Sequence, residues 1–233
     1  MKLCSYVVTI DAGLAPNPFH GYCTNALCTP SHMNARLEPG DWLMGHSKKD
    51  DGNRLVYAMR VSEVLHMDDY FNDRRFQAKK PKPQGSPQEQ CGDNFYYRKN
   101  GDWKRLPSRF HNDPRSFVQD VGKNSAGHPV FVAKHFYYFG DMRVAIPERL
   151  KRVIRRVQGI QYTEGHLVDD FLLWLEANHS PGVIGRPKDM EDTSEVLGTM
   201  ITDFPSFGSS AATSPTSQHS SPATLRRRSG GCR

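Results

Sequence analysis

Between Asp11 and Pro30 the chain reads DAGLAPNPFHGYCTNALCTP, a stretch that gathers Asp11, His20, Cys23, Thr24 and Cys28. A carboxylate, an imidazole and thiols in one segment can do acid–base work, nucleophilic attack or metal ligation. Cys23 with His20 poses a thiolate–imidazole pair, because a cationic neighbour lowers a thiol pKa. Asp11 with Asp41 offers two carboxylates at neighbouring strand ends. Both also suit turns in which the side chain binds local N–H groups, and Asp41 suits this better because it follows Pro39-Gly40. Cys23 and Cys28, with His20 and His32 nearby, have the ligand types for zinc. There is no tight C-x-x-C pair, however, and small buried thiols with surface imidazoles account for them as well. No metal and no cofactor is assigned. The chain also lacks a G-x-S-x-G elbow, a P-loop and a Rossmann glycine fingerprint.

The segment that holds these residues follows an apolar run, Tyr6 to Ile10, expected to be a first strand. A mere connection between strands has a median of about 4–6 residues. This one is longer and carries Gly13, Pro16, Asn17, Pro18 and Gly21, which fix backbone shape. A long, stiffened polar loop at a strand end is where a rigid scaffold puts its site, although such a loop can also simply cover the end of a barrel.

Period-two patterns mark further strands. Asp41 to Met44 and the long run Leu55 to Val64 pair as a hairpin across the polar turn Ser47 to Asn53. Phe95 to Arg98 and Trp103 form a second hairpin around Asn100-Gly101. Val130 to Ala133 leads into His135-Phe136-Tyr137-Tyr138-Phe139, where Phe136/Tyr138 and Tyr137/Phe139 must face opposite ways. The Pro-rich stretch Arg74 to Asp93 reads as a mobile loop. Pro147 opens a helix whose apolar side is Leu150, Val153, Ile154 and Val157, and whose other side carries Arg149, Lys151, Arg152, Arg155 and Arg156. A second helix runs from an N-cap at Thr163 to the residues before Ser180-Pro181-Gly182. Strands first and helices last predict an α+β domain with a largely antiparallel sheet or small barrel.

Of the 233 residues, 37% are hydrophobic and the net charge is +6. From Ser206 onward 16 of 28 residues are Ser, Thr, Pro or Gly, too few apolar groups to offset ordering entropy. The expected division is a domain over 1–179 and a flexible or disordered tail over 180–233. Five cysteines, an odd number with one in the tail, and an N-terminus without an export signal suit a reduced, cytoplasmic protein. No apolar run reaches the ~20 residues of a membrane span. The positive charge admits a polyanionic partner, with aromatic rings as platforms for unstacked bases.

The stretch YVVTIDAGLAPNPFHGYCTNALCTP, then EPGDWLMG, then HFYYFGD before Pro147, resembles the nucleotide-modification-associated domain, type 2 family. That family is similar to a proposed DNA base hypermodification protein of phages and bacteria. The resemblance spans about residues 5 to 170 and implies a setting in nucleotide or DNA modification. The run GDWLMGHS with LVYAMRVSEVLHMDDYFNDRRFQAKKP is similar, more weakly, to EVE and PUA-like domains, though no W-x-G-V-R-N-Y-Q motif is present. This implies a PUA-like small β-barrel with C-terminal helices packed alongside.

On this basis the expected function is an accessory protein that binds a modified base or nucleotide in a pocket shaped by the loop after strand one. Asp11, Asn17, Phe19, Thr24, Trp42 and Tyr70 are the expected ligand-binding residues, and Arg152, Arg155 and Arg156 the phosphate contacts. The expected partners are a modified nucleotide or DNA and other modification enzymes, with no membrane. The alternative is an enzyme acting on a nucleotide or on bases in DNA through Asp11 or Cys23, with His20 as acid/base.

Overall fold

Two long apolar runs each pass from one sheet to another, and this builds the architecture. In a computed structural model the described residues are 1–27, 35–112, 114–121, 128–156 and 159–190. Cys28, His32, Val157, the Ser/Thr-rich tail and Arg226 to Arg228 lie outside them. All described residues fall within one unit, Met1–Thr199.

The run expected as one strand from Leu55 to Val64 is β4 (Leu55–Arg60) followed by β5 (Glu63–His66). The run from Pro129 to Tyr138 is likewise β8 (Pro129–Ala133) and β9 (His135–Tyr138). β4 and β9 pair antiparallel in a six-stranded sheet, whereas β5 and β8 pair in a three-stranded one. Strands that switch sheets at a bend make the corners between packed sheets.

The large sheet has the order β10-β1-β3-β4-β9-β11, with β1 (Lys2–Val7), β3 (Trp42–His46), β10 (Gln161–Glu164) and β11 (Gly182–Val183). β1 runs parallel to β3, and Val7 lies beside His46 at their carboxyl ends. The small sheet is β2-β8-β5, where β2 is Cys23–Asn25 inside the long loop. β6 (Tyr96–Lys99) and β7 (Asp102–Arg105) form the expected hairpin, with positive φ at Asn100 and Gly101. The α+β class holds, but none of these sheets closes on itself. β10 and β11 end the large sheet, so the expected barrel is an open layered arrangement instead.

The described α-helices are α1 (Met67–Asn72), α2 (Pro87–Gln90), α3 (Pro114–Val121) and α4 (His166–Asn178), and three buried clusters separate the layers. Trp42, Met44, Ala58, Tyr137 and Phe139 pack on the helix α4 (His166–Asn178) through Phe171, Leu172 and Leu175, and on Leu150 and Val153. On the sheet's other face Cys4, Tyr6, Leu43, Met59, Phe136 and Tyr138 meet Cys23, Phe131 and Ala133 of the small sheet. Tyr70, Phe76, Phe95, Tyr96 and Val130 form a third cluster behind that. The two aromatic pairs of β9 therefore do face opposite ways, and Tyr137/Phe139 find their outer partner in α4 rather than in a ligand.

Local structure departs from expectation in four places. β1 begins at Lys2 and ends at Val7. Both of its faces are buried, so polar Ser5 sits inside and the alternation is hidden. The basic segment after Pro147 is a 3-10 helix, Glu148–Val153, in which Leu150 and Val153 share a side at a spacing of three. Thr163 is not an N-cap: it lies in β10 opposite Leu3, and Gly165 precedes α4. The stretch 74–93 is structured, with Phe76, Lys79, Cys91 and Asp93 buried near its two ends and residues 82–90 mostly at the surface. It holds a 3-10 helix (Arg74–Lys79) and a turn of helix α2 (Pro87–Gln90) with a Ser86/Glu89 capping box.

The segment after α4, assigned by composition to the tail, is paired over residues 182–190. Gly182 and Val183 lie parallel to Tyr137 and Tyr138, Arg186 O accepts from Asp141 N–H while Arg186 N–H donates to Asp141 Oδ1, and Asp189 N–H donates to Asp11 O at 2.9 Å. This strap crosses the start of the long loop.

Gly45 marks a close approach needed at the end of β3. A Cβ there would lie 2.4 Å from Val8 Cγ2 and 2.5 Å from Tyr57 Cε1, closer than real side chains come. Gly45→Ala should destabilise the domain by about 1–3 kcal/mol, as overpacked cores do. A thermal melt of the variant checks this, and an unchanged midpoint would contradict the close packing.

Candidate ligand-binding site

The long loop splits into two parts with different environments. At its start Asp11 is buried and accepts from the Tyr138 hydroxyl at 2.5 Å. Its backbone N–H donates to Asp189 Oδ2 at 2.7 Å, and its Oδ2 accepts weakly from Lys188 N–H at 3.4 Å. Burial pushes the Asp11 carboxyl above its ordinary range, against the pull of the Tyr138 hydroxyl, Lys188 N–H and the Arg143 charge.

Further along, Asn17, Thr24 and Tyr70 come together, but around each other. Lys79 Nζ, fully buried, donates to Asn17 O at 3.0 Å, Asn17 Oδ1 at 2.7 Å and Tyr22 O at 3.0 Å. Asn17 Nδ2 donates to Cys91 O at 2.9 Å. Thr24 and Tyr70 hydroxyls donate to the two oxygens of Asp93 at 2.6 and 2.7 Å. Burial lowers Lys79 to about 8, so it stays charged at neutral pH, and burial raises Asp93. Each charge is met by several hydrogen bonds, the condition under which buried ions are tolerated. The cavity beside Tyr70 and Asp93 is only about 10 Å³, too small for a base. Lys79 and Asp93 escaped sequence reasoning because they sit in a polar Pro-rich stretch with no periodicity.

The other expected residues lie apart from these. Trp42 is 2% exposed and stacks on Tyr137 across the sheet, on the face toward α4. Phe19 is half-buried beside Gly13 and the strap: a Cβ on Gly13 would lie 3.1 Å from the Phe19 ring and 2.8 Å from Pro187. His20 is exposed and its ring meets that of Phe19. Cys23 is wholly buried and its thiol is pushed up to about 12 by burial, the opposite of an activated nucleophile. Among the described residues no group of three or more His, Cys, Asp or Glu side chains could hold a metal ion.

Space for a ligand opens instead around Val7 to Asp11, where the chain leaves the parallel pair β1/β3. Ligands of open sheets with parallel strands bind at such carboxyl ends. A cleft of about 640 Å³ is lined by Val7, Lys48, Lys49, Asn53, Lys151, Ile154, Arg155 and Arg156. Five of its eight lining residues are cationic and none is acidic. Arg155 and Arg156, expected as phosphate contacts, both line it, whereas Arg152 is exposed and not among the lining residues. A cavity of about 230 Å³ shares Lys48 with the cleft and is lined also by Asp11, Asp51, Arg143, Lys188 and Asp189. A third, about 360 Å³, shares Val7 with the cleft and is mainly apolar, from Tyr6 to Ala15 with Phe110 and His111. His111 Nδ1 is 2.5 Å from Asp120 Oδ2, which also accepts from the Tyr96 hydroxyl at 2.7 Å. Lys48, Lys49, Arg143 and His111 carried no sequence signal, since they reach the site from turns far apart in the chain.

Three described thiols are buried and shifted upward: Cys4 and Cys23 to about 12, Cys91 to about 11. A thiol with a pKa near 12 is about one part in ten thousand thiolate at pH 8. In the native protein at pH 8 these three should resist iodoacetamide, and they should react after unfolding in guanidinium. Mass spectrometry of the alkylated peptides checks this, and fast native labelling of Cys23 would revive it as a nucleophile.

No curated protein and no solved structure matches the chain. Among the described residues no helix is long and apolar enough to cross a membrane. A family model described as nucleotide modification associated domain 2 matches residues 1–194, a range that spans all the described residues including the strap, and the chain therefore belongs to that family.

Proposed function

We propose that the protein binds a nucleotide unit, free or within a strand, with its phosphate in the basic cleft beside β1 and its base in the adjoining apolar cavity. The observation that carries this is the cleft itself, with Lys48, Lys49, Lys151, Arg155 and Arg156 around one concavity that no carboxylate lines. Lys151 is paired at 2.6 Å with the exposed Glu148, a contact that solvent screens. Phosphate neutralised by Lys and Arg supplies most sequence-independent affinity for nucleic acids. The apolar cavity lies within the range of small-ligand sites, about 300–1,000 Å³, and is large enough for a base carrying a substituent. In this reading the loop after β1 shapes the pocket through Val8 to Ala15 and Asp11. Asn17, Thr24 and Tyr70 support that loop from within, and membership of a nucleotide-modification family supplies the setting. A modified base in DNA, delivered by or to other modification enzymes, is the ligand this setting favours.

A second reading, an enzyme acting on the nucleotide, has one observation in its favour. Asp11 lines a cavity and its carboxyl is raised by burial, as acid–base groups in clefts are.

Lys49 and Arg156 are exposed and suit substitution. Replacing both by Ala should weaken binding of a labelled single-stranded DNA about uniformly across sequences. It should also flatten the plot of log affinity against log salt by about 0.7 per lost contact. Fluorescence anisotropy over a salt series checks this, and an unchanged slope would remove the cleft from phosphate binding.

A further inference from the structure

The smaller polar cavity differs from the basic cleft in its charge pattern. Asp11, Asp51 and Asp189 line it together with Lys48, Arg143 and Lys188. Three carboxylates oppose a bare phosphate, and three cations oppose a bare metal ion.

Arg143 supplies the more specific observation. Its side chain is 9% exposed, Nε donates to Gly140 O at 3.0 Å, and Nη1 donates to Asp51 Oδ2 at 2.6 Å. Nη2 is buried without a hydrogen-bond partner. It faces Asp11 Oδ2 at 4.0 Å, too far for a direct hydrogen bond. That Oδ2 has only the weak contact from Lys188 N–H. A donor and an acceptor thus confront each other across a gap that neither closes. Leaving a charged donor unsatisfied in the interior is costly. An oxygen about 2.9 Å from each would complete both, provided that it can accept from one and donate to the other. A hydroxyl does this, whether of a water or of a ligand, and an ionised phosphate oxygen does not.

We propose that this cavity holds a sugar hydroxyl of a free nucleotide or of a strand end, accepting from Arg143 Nη2 and donating to Asp11 Oδ2, while the phosphate lies in the adjoining basic cleft; a nucleotide inside a DNA strand has no free sugar hydroxyl and would use the cleft alone. The proposal rests on the phosphate reading above. Its geometry follows from Lys48, which lines both spaces, so that a group joined directly to the phosphate enters the polar one. The strap takes part, because Lys188 and Asp189 wall the cavity and hold Asp11 from the far side.

The test is calorimetric titration of the wild-type protein with the four ribonucleoside 5′-monophosphates and with their 2′,3′-dideoxy counterparts. These share phosphate and base and differ only in sugar hydroxyls. Hydrogen bonds to charged groups are worth about a tenfold change in affinity or more, so at least one ribonucleotide should bind about tenfold or more tightly than its dideoxy form. Arg143→Gln should erase that advantage, bringing the ratio of ribonucleotide to dideoxynucleotide affinity to about one. Equal binding of both series by the wild type would overturn the hydroxyl site and leave the phosphate cleft standing. Binding of neither series would remove both. The wild-type comparison is decisive even if Arg143→Gln fails to fold. If that variant is folded and keeps the ribonucleotide advantage, the hydroxyl is not held by Arg143 and the proposal falls.

Discussion

One buried carboxylate ties the site together. Asp11 stands where the chain leaves β1, and its oxygens and backbone reach Tyr138 on β9, Lys188 and Asp189 on the strap, and the neighbourhood of Arg143. These groups are more than a hundred residues away in sequence. Without that junction the strap would lose its anchor at Asp189, and the walls of the polar cavity would have nothing to hold their spacing. Burial penalises the charge, and the surrounding donors offset the penalty. The cost is tolerable because the same contacts close the domain.

The fold brings this about by a division of labour. The six-stranded sheet is covered by α4 on one face and by the small sheet on the other, so its strands are fixed along their length. The carboxyl ends of β1 and β3 open onto turns. The turn after β3 supplies Lys48 and Lys49, and the 3-10 helix after Pro147 and the residues beyond it supply Lys151, Arg155 and Arg156. A rigid sheet with variable turns at one end is a common way to hold a ligand without disturbing the core. The polar network of Asn17, Lys79, Asp93, Thr24 and Tyr70 serves that rigidity, since it pins the middle of the long loop to the segment 74–94 with its buried charges met by hydrogen bonds.

Much was legible in the chain before its structure. The polar turn Ser47 to Asn53 and the Asn100-Gly101 turn gave the β3/β4 and β6/β7 hairpins, and the period of two gave the opposed faces of β9, because successive side chains of a strand point to opposite sides. Stiffening prolines and glycines marked the long loop as a place of built structure, and Asp11 as a polar group within it. The family pattern in that loop pointed to nucleotide modification. Other features left no trace. The bend of β4 into β5 is invisible in a sequence that keeps alternating through it. A 3-10 helix and an α-helix share a spacing of three, so Leu150 and Val153 could not separate them. Charged residues in a Pro-rich stretch look solvated, yet Lys79 and Asp93 are among the most deeply buried groups of the protein.

The sequence by itself determined the α+β class, most of the strands, the family and the importance of the loop after β1. These are properties of local pattern and composition. Only the tertiary structure decided that Trp42 belongs to the core and that Tyr70 is locked to Asp93. It also decided that Cys23 is buried, that Lys48, Arg143 and Lys188 gather around Asp11, and that Arg155 lines the neighbouring cleft. Whether a side chain faces a ligand or a neighbour depends on what the rest of the chain packs against it, and residues distant in sequence set that environment.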